Sequence, residues 1–166
     1  EVWATPSRTL TSLGNAQGNT SITFTATVTR YWIGGTGNWS ATAEWSATSG
    51  GAGGASVPLC HDTALFDANA FSAGSQTVTA DMPRIGAFSF AGATNSPTLS
   101  WGNNYECYGS VTLAASMTVT RTQPFNLLSR AAETFTSNGT SFGGTAGDPT
   151  VLNMIGGTLT LQDAFS

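Results

Sequence analysis

The sequence predicts an all-β chain wound as a parallel β-helix, a solenoid with coils of about 24 residues and a Trp-rich N-terminal cap. Three observations lead there. First, one short phrase returns four times, as Gly86-Ala87-Phe88-Ser89-Phe90, Gly109-Ser110-Val111-Thr112-Leu113, Glu133-Thr134-Phe135-Thr136-Ser137 and Gly157-Thr158-Leu159-Thr160-Leu161, at steps of 23, 24 and 24 residues. Second, apolar residues alternate with Ser or Thr inside each phrase, the period of a strand with one buried face. Third, the step is too short for a strand, a crossover helix and their loops, and no helical apolar period lies between the phrases. More strands fill the gaps instead: Thr98-Leu99-Ser100-Trp101 after Asn95-Ser96-Pro97, Met117-Thr118-Val119 after Ala114-Ala115-Ser116, and Thr150 to Met154 after Gly147-Asp148-Pro149. An antiparallel β-sandwich is the alternative that the same alternation allows. The second strands keep the period less well, since Leu99 lies 11 after Phe88 but Met117 only 6 after Val111.

In chain order, residues 1–19 read as an N-terminal arm or linker ending in Gly14-Asn15-Ala16-Gln17-Gly18-Asn19, with Val2, Trp3, Leu10 and Leu13 available to pack on a neighbour. Thr20 to Thr29 alternates most cleanly, with Ile22, Phe24, Ala26 and Val28 on one face; it is a candidate cap, or a strand that pairs with another chain. Residues 20–75 join it to a Trp/Gly-rich capping region, in which Trp32, Trp39 and Trp45 crowd around glycine turns. Those indoles have two readings: an exposed platform for sugar rings, or a plug over the open end of the solenoid. Residues 76–166 are the solenoid repeats. No polar cap follows Leu159, Leu161 and Phe165, so these three are expected to meet another subunit or further coils beyond Ser166.

Composition narrows the class. Only 8% of the residues are charged, lysine is absent, and 40% are hydrophobic. A chain with that much strand-patterned apolar content is not a disordered one. A net charge of −4 with five scattered arginines forms no basic stripe, so no nucleic acid partner is expected. No run is long enough to span a bilayer. The chain starts at Glu1 without initiator Met or signal-like segment, which reads as a processed or trimmed product. Cys60 and Cys107, 47 residues apart, stand about two coils from each other, close enough for a disulfide and equally compatible with two buried thiols.

Candidate chemistry is sparse. His61, Asp62 and Asp67 can be written as metal ligands, or Asp62 and Asp67 with backbone carbonyls as a Ca²⁺ site, but carboxylates in such loops more often cap turns. No metal and no cofactor are therefore expected. A Ser–His–Asp triad would need His61, and no Ser sits in a nucleophile elbow. Asp81, Glu106 and Glu133 are spaced 25 and 27 apart, near the coil period, so a row of acids along one face is conceivable; a solvated edge is the plainer reading. No catalytic residue is assigned.

The strings Arg30-Tyr31-Trp32-Ile33-Gly34-Gly35-Thr36-Gly37-Asn38-Trp39-Ser40, Thr48 to Pro58, Phe66-Asp67-Ala68-Asn69, Thr136-Ser137-Asn138-Gly139 and Gly157 to Phe165 resemble a recurring block in tailed-phage and environmental viral structural proteins, tail-fibre and virion-surface components with relatives among secreted bacterial adhesins. The resemblance runs from Arg30 to the end. It implies a non-enzymatic virion or extracellular component with a β-helical body, whose partners are copies of itself, other virion or fibre subunits and a host-surface glycan. It supplies no catalytic residues, and His61 departs from the acidic or small residue expected before Asp62. A bacterial adhesin or filament subunit joined by strand exchange is the second reading, and a glycan-cleaving tailspike the third.

Overall fold

A computed structural model describes residues 8–10, 14–19, 22–142, 150–152 and 156–164. Apart from one 3-10 turn at Thr42–Glu44, the regular structure of these residues is short strands. They stack into three parallel sheets that form the sides of a β-solenoid of about four turns.

The first face is the longest, running in space from Thr158–Leu161 through Ala132–Thr136, Val111–Thr112, Ala87–Ser89 and Thr63–Leu65 to Thr29–Trp32. The second holds Thr118–Arg121, Thr98–Trp101, Thr77–Thr79 and Gly37–Asn38; the third holds Thr150–Leu152, Phe125–Leu127, Tyr105–Cys107 and Arg84–Ile85. Each pairing within a face is parallel except one, Thr29–Trp32 with Trp45–Ser46. The antiparallel sandwich is thereby excluded. The stack also reaches back to Thr29–Trp32, well before residue 76, where the solenoid was expected to begin.

Residues that share a line up the first face are Ala64, Phe88, Val111, Phe135 and Leu161. The predicted phrase is thus in register for its first three copies and two residues out in its fourth, because Phe135 faces Leu161 while Leu159 faces Glu133. A slip of two preserves the inward and outward sides, so the alternation cannot reveal it. On the second face Leu99 stands between Val78 and Val119. Met117, expected as its partner, instead sits at the corner, where its Sδ accepts from the Ala114 N–H at 3.2 Å. The uneven spacing of the second strands is absorbed by corners of different length, residues 90–97 in one coil against 113–117 in the next. The third face, lined inside by Ile85, Cys107 and Leu127, was not predicted as a face of its own. Thr150–Leu152 was expected as a strand, and it belongs to this face, beside Phe125–Leu127.

Three of the four phrases open with glycine, and the structure gives the reason. Gly86, Gly109 and Gly157 lie where the chain enters the first face with the neighbouring coil's backbone against it. A Cβ on Gly109 would fall 2.5 Å from the Ala87 nitrogen, and one on Gly86 or Gly157 would overlap the carbonyl oxygen of Asp62 or Ala131. The backbone of the neighbouring coil comes closer at these entry points than a side chain allows.

The interior is aromatic. Phe66, Phe71 and Phe90 stack near-parallel at the first turns, while Trp101, Tyr105, Phe125 and Phe142 cluster farther along. At the N-terminal end Trp45–Ser46 folds back antiparallel over the outer edge of Thr29–Trp32, pairing the backbone groups that a parallel edge strand leaves open. Thr20 to Thr29 is not one strand: Ile22–Phe24 pairs in parallel with Arg8–Leu10 as a separate two-stranded sheet, 25–28 is irregular, and Thr29 begins the first face.

Candidate functional site

Outward residues repeat as strictly as the core. On the second face Thr77, Thr98 and Thr118 form one row and Thr79, Ser100 and Thr120 another, and Asn38 extends the second row. The Thr77 N–H donates to Thr36 Oγ1 at 3.1 Å, which brings a further threonine to the end of the first row. Neighbouring strands hold such rows at about 4.8 Å per rung. These two rows carry hydroxyls and an amide and no charge, while Arg121, paired with Trp101, brings a charge to the end of the last strand. On the third face the outward row is charged: Arg84 stands opposite Glu106, with Nε 2.8 Å from Oε2, and Asn126 follows. That guanidinium contact holds the Glu106 carboxyl below its ordinary range, and the Tyr108 hydroxyl donates to the same oxygen at 3.0 Å.

One concavity lies at the N-terminal end, a cavity of about 190 Å³ lined by Val28, Val57 and Leu59 together with Arg30, His61 and Asp62. The Asp62 carboxylate is buried because it caps two chain segments at once: Oδ1 accepts from the Val28 N–H at 2.9 Å and Oδ2 from the Leu59 N–H at 2.8 Å. Arg30 donates to the Ser56 hydroxyl at 2.8 Å and to the Ser56 carbonyl oxygen at 3.2 Å. With its one guanidinium bound to Ser56 and its one carboxylate bound to backbone N–H groups, the cavity is a polar junction rather than a ready anion or cation site.

The sequence-derived candidates separate when placed in space. Trp32, Trp39 and Trp45 were offered as a sugar platform, but they are 0%, 1% and 0% exposed. They pack edge-on at 5.0 Å and sit on Phe66, and the indole N–H groups of Trp32 and Trp45 donate to the Gly35 and Trp39 carbonyl oxygens. No face of these rings is open to a ligand. Apolar surface of that size is stabilised far more by filling the end of the core than by waiting in water. His61 and Asp62 precede Thr63–Leu65 and Asp67 follows it, and Asp67 caps its own turn through the Asn69 N–H at 2.9 Å. Asp62 and Asp67 therefore do not share an ion. Among the described residues no three His, Cys, Asp or Glu side chains are grouped as metal ligands. Asp81, Glu106 and Glu133 do not line up either: Asp81 binds Ser40 beyond the second face, Glu106 lies on the third, and Glu133 lies on the first, bound to Ser110 and Ser129. The spacing of 25 and 27 does not match the third face around Glu106, where Ile85, Cys107 and Leu127 follow one another at steps of 22 and 20 residues.

Cys60 and Cys107 are separate buried thiols, not a disulfide. Burial pushes the Cys107 thiol up to about 12, and burial raises Cys60 as well. Of the residues expected at assembly surfaces, Ile22, Phe24 and Val28 are half-buried, Leu159 packs partly on the core, Leu161 is 47% exposed, and Phe165 lies outside the described residues, as do Val2, Trp3 and Leu13.

Sequence reasoning missed Gln17. Its side-chain amide donates to the Tyr108 carbonyl oxygen at 3.3 Å and to Ser129 Oγ at 3.2 Å, and its Oε1 accepts from the Arg130 N–H. Residues 14–19, expected as part of a linker, are instead a strap bound along the solenoid. Contacts spanning 91 to 113 residues leave no local pattern by which to find them. No helix among the described residues is long and apolar enough to cross a membrane. No family model, curated protein or solved structure matches the chain.

Proposed function

We propose that this chain is a non-enzymatic structural module of a virion fibre or a similar extracellular fibre, serving assembly and host-surface attachment. The observation that carries the reading is the regular second face, with its uncharged ladder of Thr36, Thr77, Thr98 and Thr118 beside Asn38, Thr79, Ser100 and Thr120. A solenoid whose coils each bury their apolar side on the next is a stiff spacer, and hydroxyl rows offer a hydrated, charge-free surface suited to glycan-coated hosts. The resemblance of the Arg30 to Ser40 block to tail-fibre and virion-surface proteins supports the same reading. Asp81, Glu106 and Glu133, the acids whose spacing suggested a tailspike, lie on different parts of the solenoid and do not pair, so that reading is not carried forward.

A bacterial adhesin or filament subunit is favoured by one observation. Arg8–Leu10 and Ile22–Phe24 form a sheet of only two strands, which is marginal alone and is completed when a strand from another chain adds to its edge.

Electron microscopy of the native material, with the chain located by labelled antibody and identified by mass spectrometry, tests both. Label on the tails or surface of virus particles supports the first reading. Open filaments of repeating copies on bacterial cells would replace it with the second.

A further inference from the structure

The chain's one histidine lies where three pieces of the fold meet, and both ring nitrogens are engaged. The Asn15 backbone N–H points at Nδ1 from 3.0 Å, and Nε2 lies 3.1 Å from the Thr25 carbonyl oxygen. A donor facing Nδ1 and an acceptor facing Nε2 admit one form of the neutral ring, with its proton on Nε2. His61 therefore accepts from the strap 14–19 and donates to the irregular stretch 25–28, tying both to the turn before Thr63–Leu65. The far end of the strap is held separately, by Gln17 on Tyr108, Ser129 and Arg130.

We propose that His61 is a proton-sensitive latch for the strap. A second proton on the ring must go to Nδ1, where the Asn15 N–H already points. The hydrogen bond then becomes two opposed donors, and an unsatisfied pair of that kind in a mostly buried place is costly. The Asn15 end of the strap lets go, while the Thr25 bond persists because Nε2 keeps its proton.

The charges around the ring act on its other side. The Asp62 carboxylate is 3.7 Å from Nε2 and is held there by two backbone N–H groups, so it does not reach the conflict at Nδ1. Arg30 lines the same cavity, and Cys60, Tyr108 and Glu133 lie around the adjoining concavity, the Glu133 carboxylate being bound by Ser110 and Ser129. Release of the Asn15 end widens the concavity that Asn15 shares with Thr27, His61, Tyr108 and Glu133, while Gln17 keeps the far end in place. This proposal does not depend on the function proposed above.

Nuclear magnetic resonance on the full chain, from about pH 8 to about pH 5, tests it through the imidazole nitrogens and the exchange protection of single amides. The expected result is the Nε2–H tautomer at the alkaline end. Protection at Asn15 and Gln17 then falls by about tenfold or more as the ring takes its second proton, after correction for the pH dependence of exchange itself, while Phe88 and Val111 stay protected. His61→Gln keeps an acceptor without a titrating proton, and in it the strap stays protected across the range. The Nδ1–H tautomer, a strap that stays protected while the ring titrates, or an equal loss in His61→Gln would each overturn the latch. Should that variant not fold, the tautomer and the coupled titration in the unaltered chain decide the matter.

Discussion

Phe66 and Phe90, 24 residues apart, lie face to face with ring centroids 3.9 Å apart and planes within 4° of parallel. Each follows directly on a first-face strand, and the Phe66 N–H donates to the Ser89 carbonyl oxygen at 2.9 Å, so backbone ladder and ring stack enforce the same register. Phe90→Ala removes the stack and leaves a cavity beneath the tryptophans. It is expected to cost about 3–5 kcal/mol in urea unfolding, whereas Thr79→Ala on the open second face stays within about 0.5 kcal/mol. Equal effects from the two would mean the core is not where the structure places it.

Gly109 tests the close approach of successive coils. Its φ is not in the left-handed region, so the cost of Gly109→Ala comes from contact with Ala87 rather than from backbone conformation. A loss of about 1–3 kcal/mol is expected. Gly139, which has a positive φ and open space around its missing Cβ, is the useful contrast, because strain there has no packing component.

Cys107 makes stability depend on alkaline pH. Its thiol is raised in the folded chain to about 12, so the folded state holds the proton while the unfolded chain releases it from about pH 8.5 upward. The stabilisation is complete below the unfolded value and is lost as pH rises toward about 12. Cys107→Ala is less stable at pH 7 but should show a flatter decline above pH 9. Thiol reagent at pH 8 should find neither Cys60 nor Cys107 in the folded chain and both after denaturation. Fast labelling of the native protein would contradict their burial.

Arg84 and Glu106 act in the opposite pH range. The Arg84 hydrogen bond lowers the Glu106 carboxyl, so its contribution is present above the unfolded carboxylate range and disappears as pH falls through the folded value. Arg84 is 62% exposed and Glu106 32%, and solvent screening limits the pair to less than about 1 kcal/mol. Arg84→Gln should therefore lower stability slightly at pH 7 and not at all at pH 2. A loss that persists in acid would assign the effect to packing of the arginine stem.

Tyr105 carries a buried hydroxyl with no hydrogen-bond partner, and burial raises its phenol well above the ordinary range. Tyr105→Phe keeps the ring against Trp101 and Phe125 and removes the unsatisfied group. It is expected to stabilise the chain by about 1 kcal/mol, read as a higher denaturant midpoint with an unchanged slope. A destabilised variant would point to a partner for the hydroxyl.

What the residues determined by themselves was the parallel solenoid, its first face, and the inward set Phe88, Val111 and Phe135. Alternation along a strand is a local constraint written out again in every phrase, and a glycine at the close approach is written out in three of the four. Even so, local pattern was blind to the two-residue slip that seats Leu161 on Phe135, since it changes no side chain's face. It also passed over the third face, whose strands Tyr105–Cys107 and Phe125–Leu127 are too short to show a period. The tryptophans were legible as a cluster and as a plug over the end of the solenoid in preference to an exposed platform, but the partners that bury them, Phe66 and the Trp45–Ser46 strand, were not. The junction at His61 was the least legible part. It is made by Asn15, Thr25, Val28 and Asp62, and the strap beyond it by Gln17 and Ser129, which lie 112 residues apart. Only the tertiary structure brings them together, because a hydrogen bond between distant segments depends on where the coils have already placed both backbones.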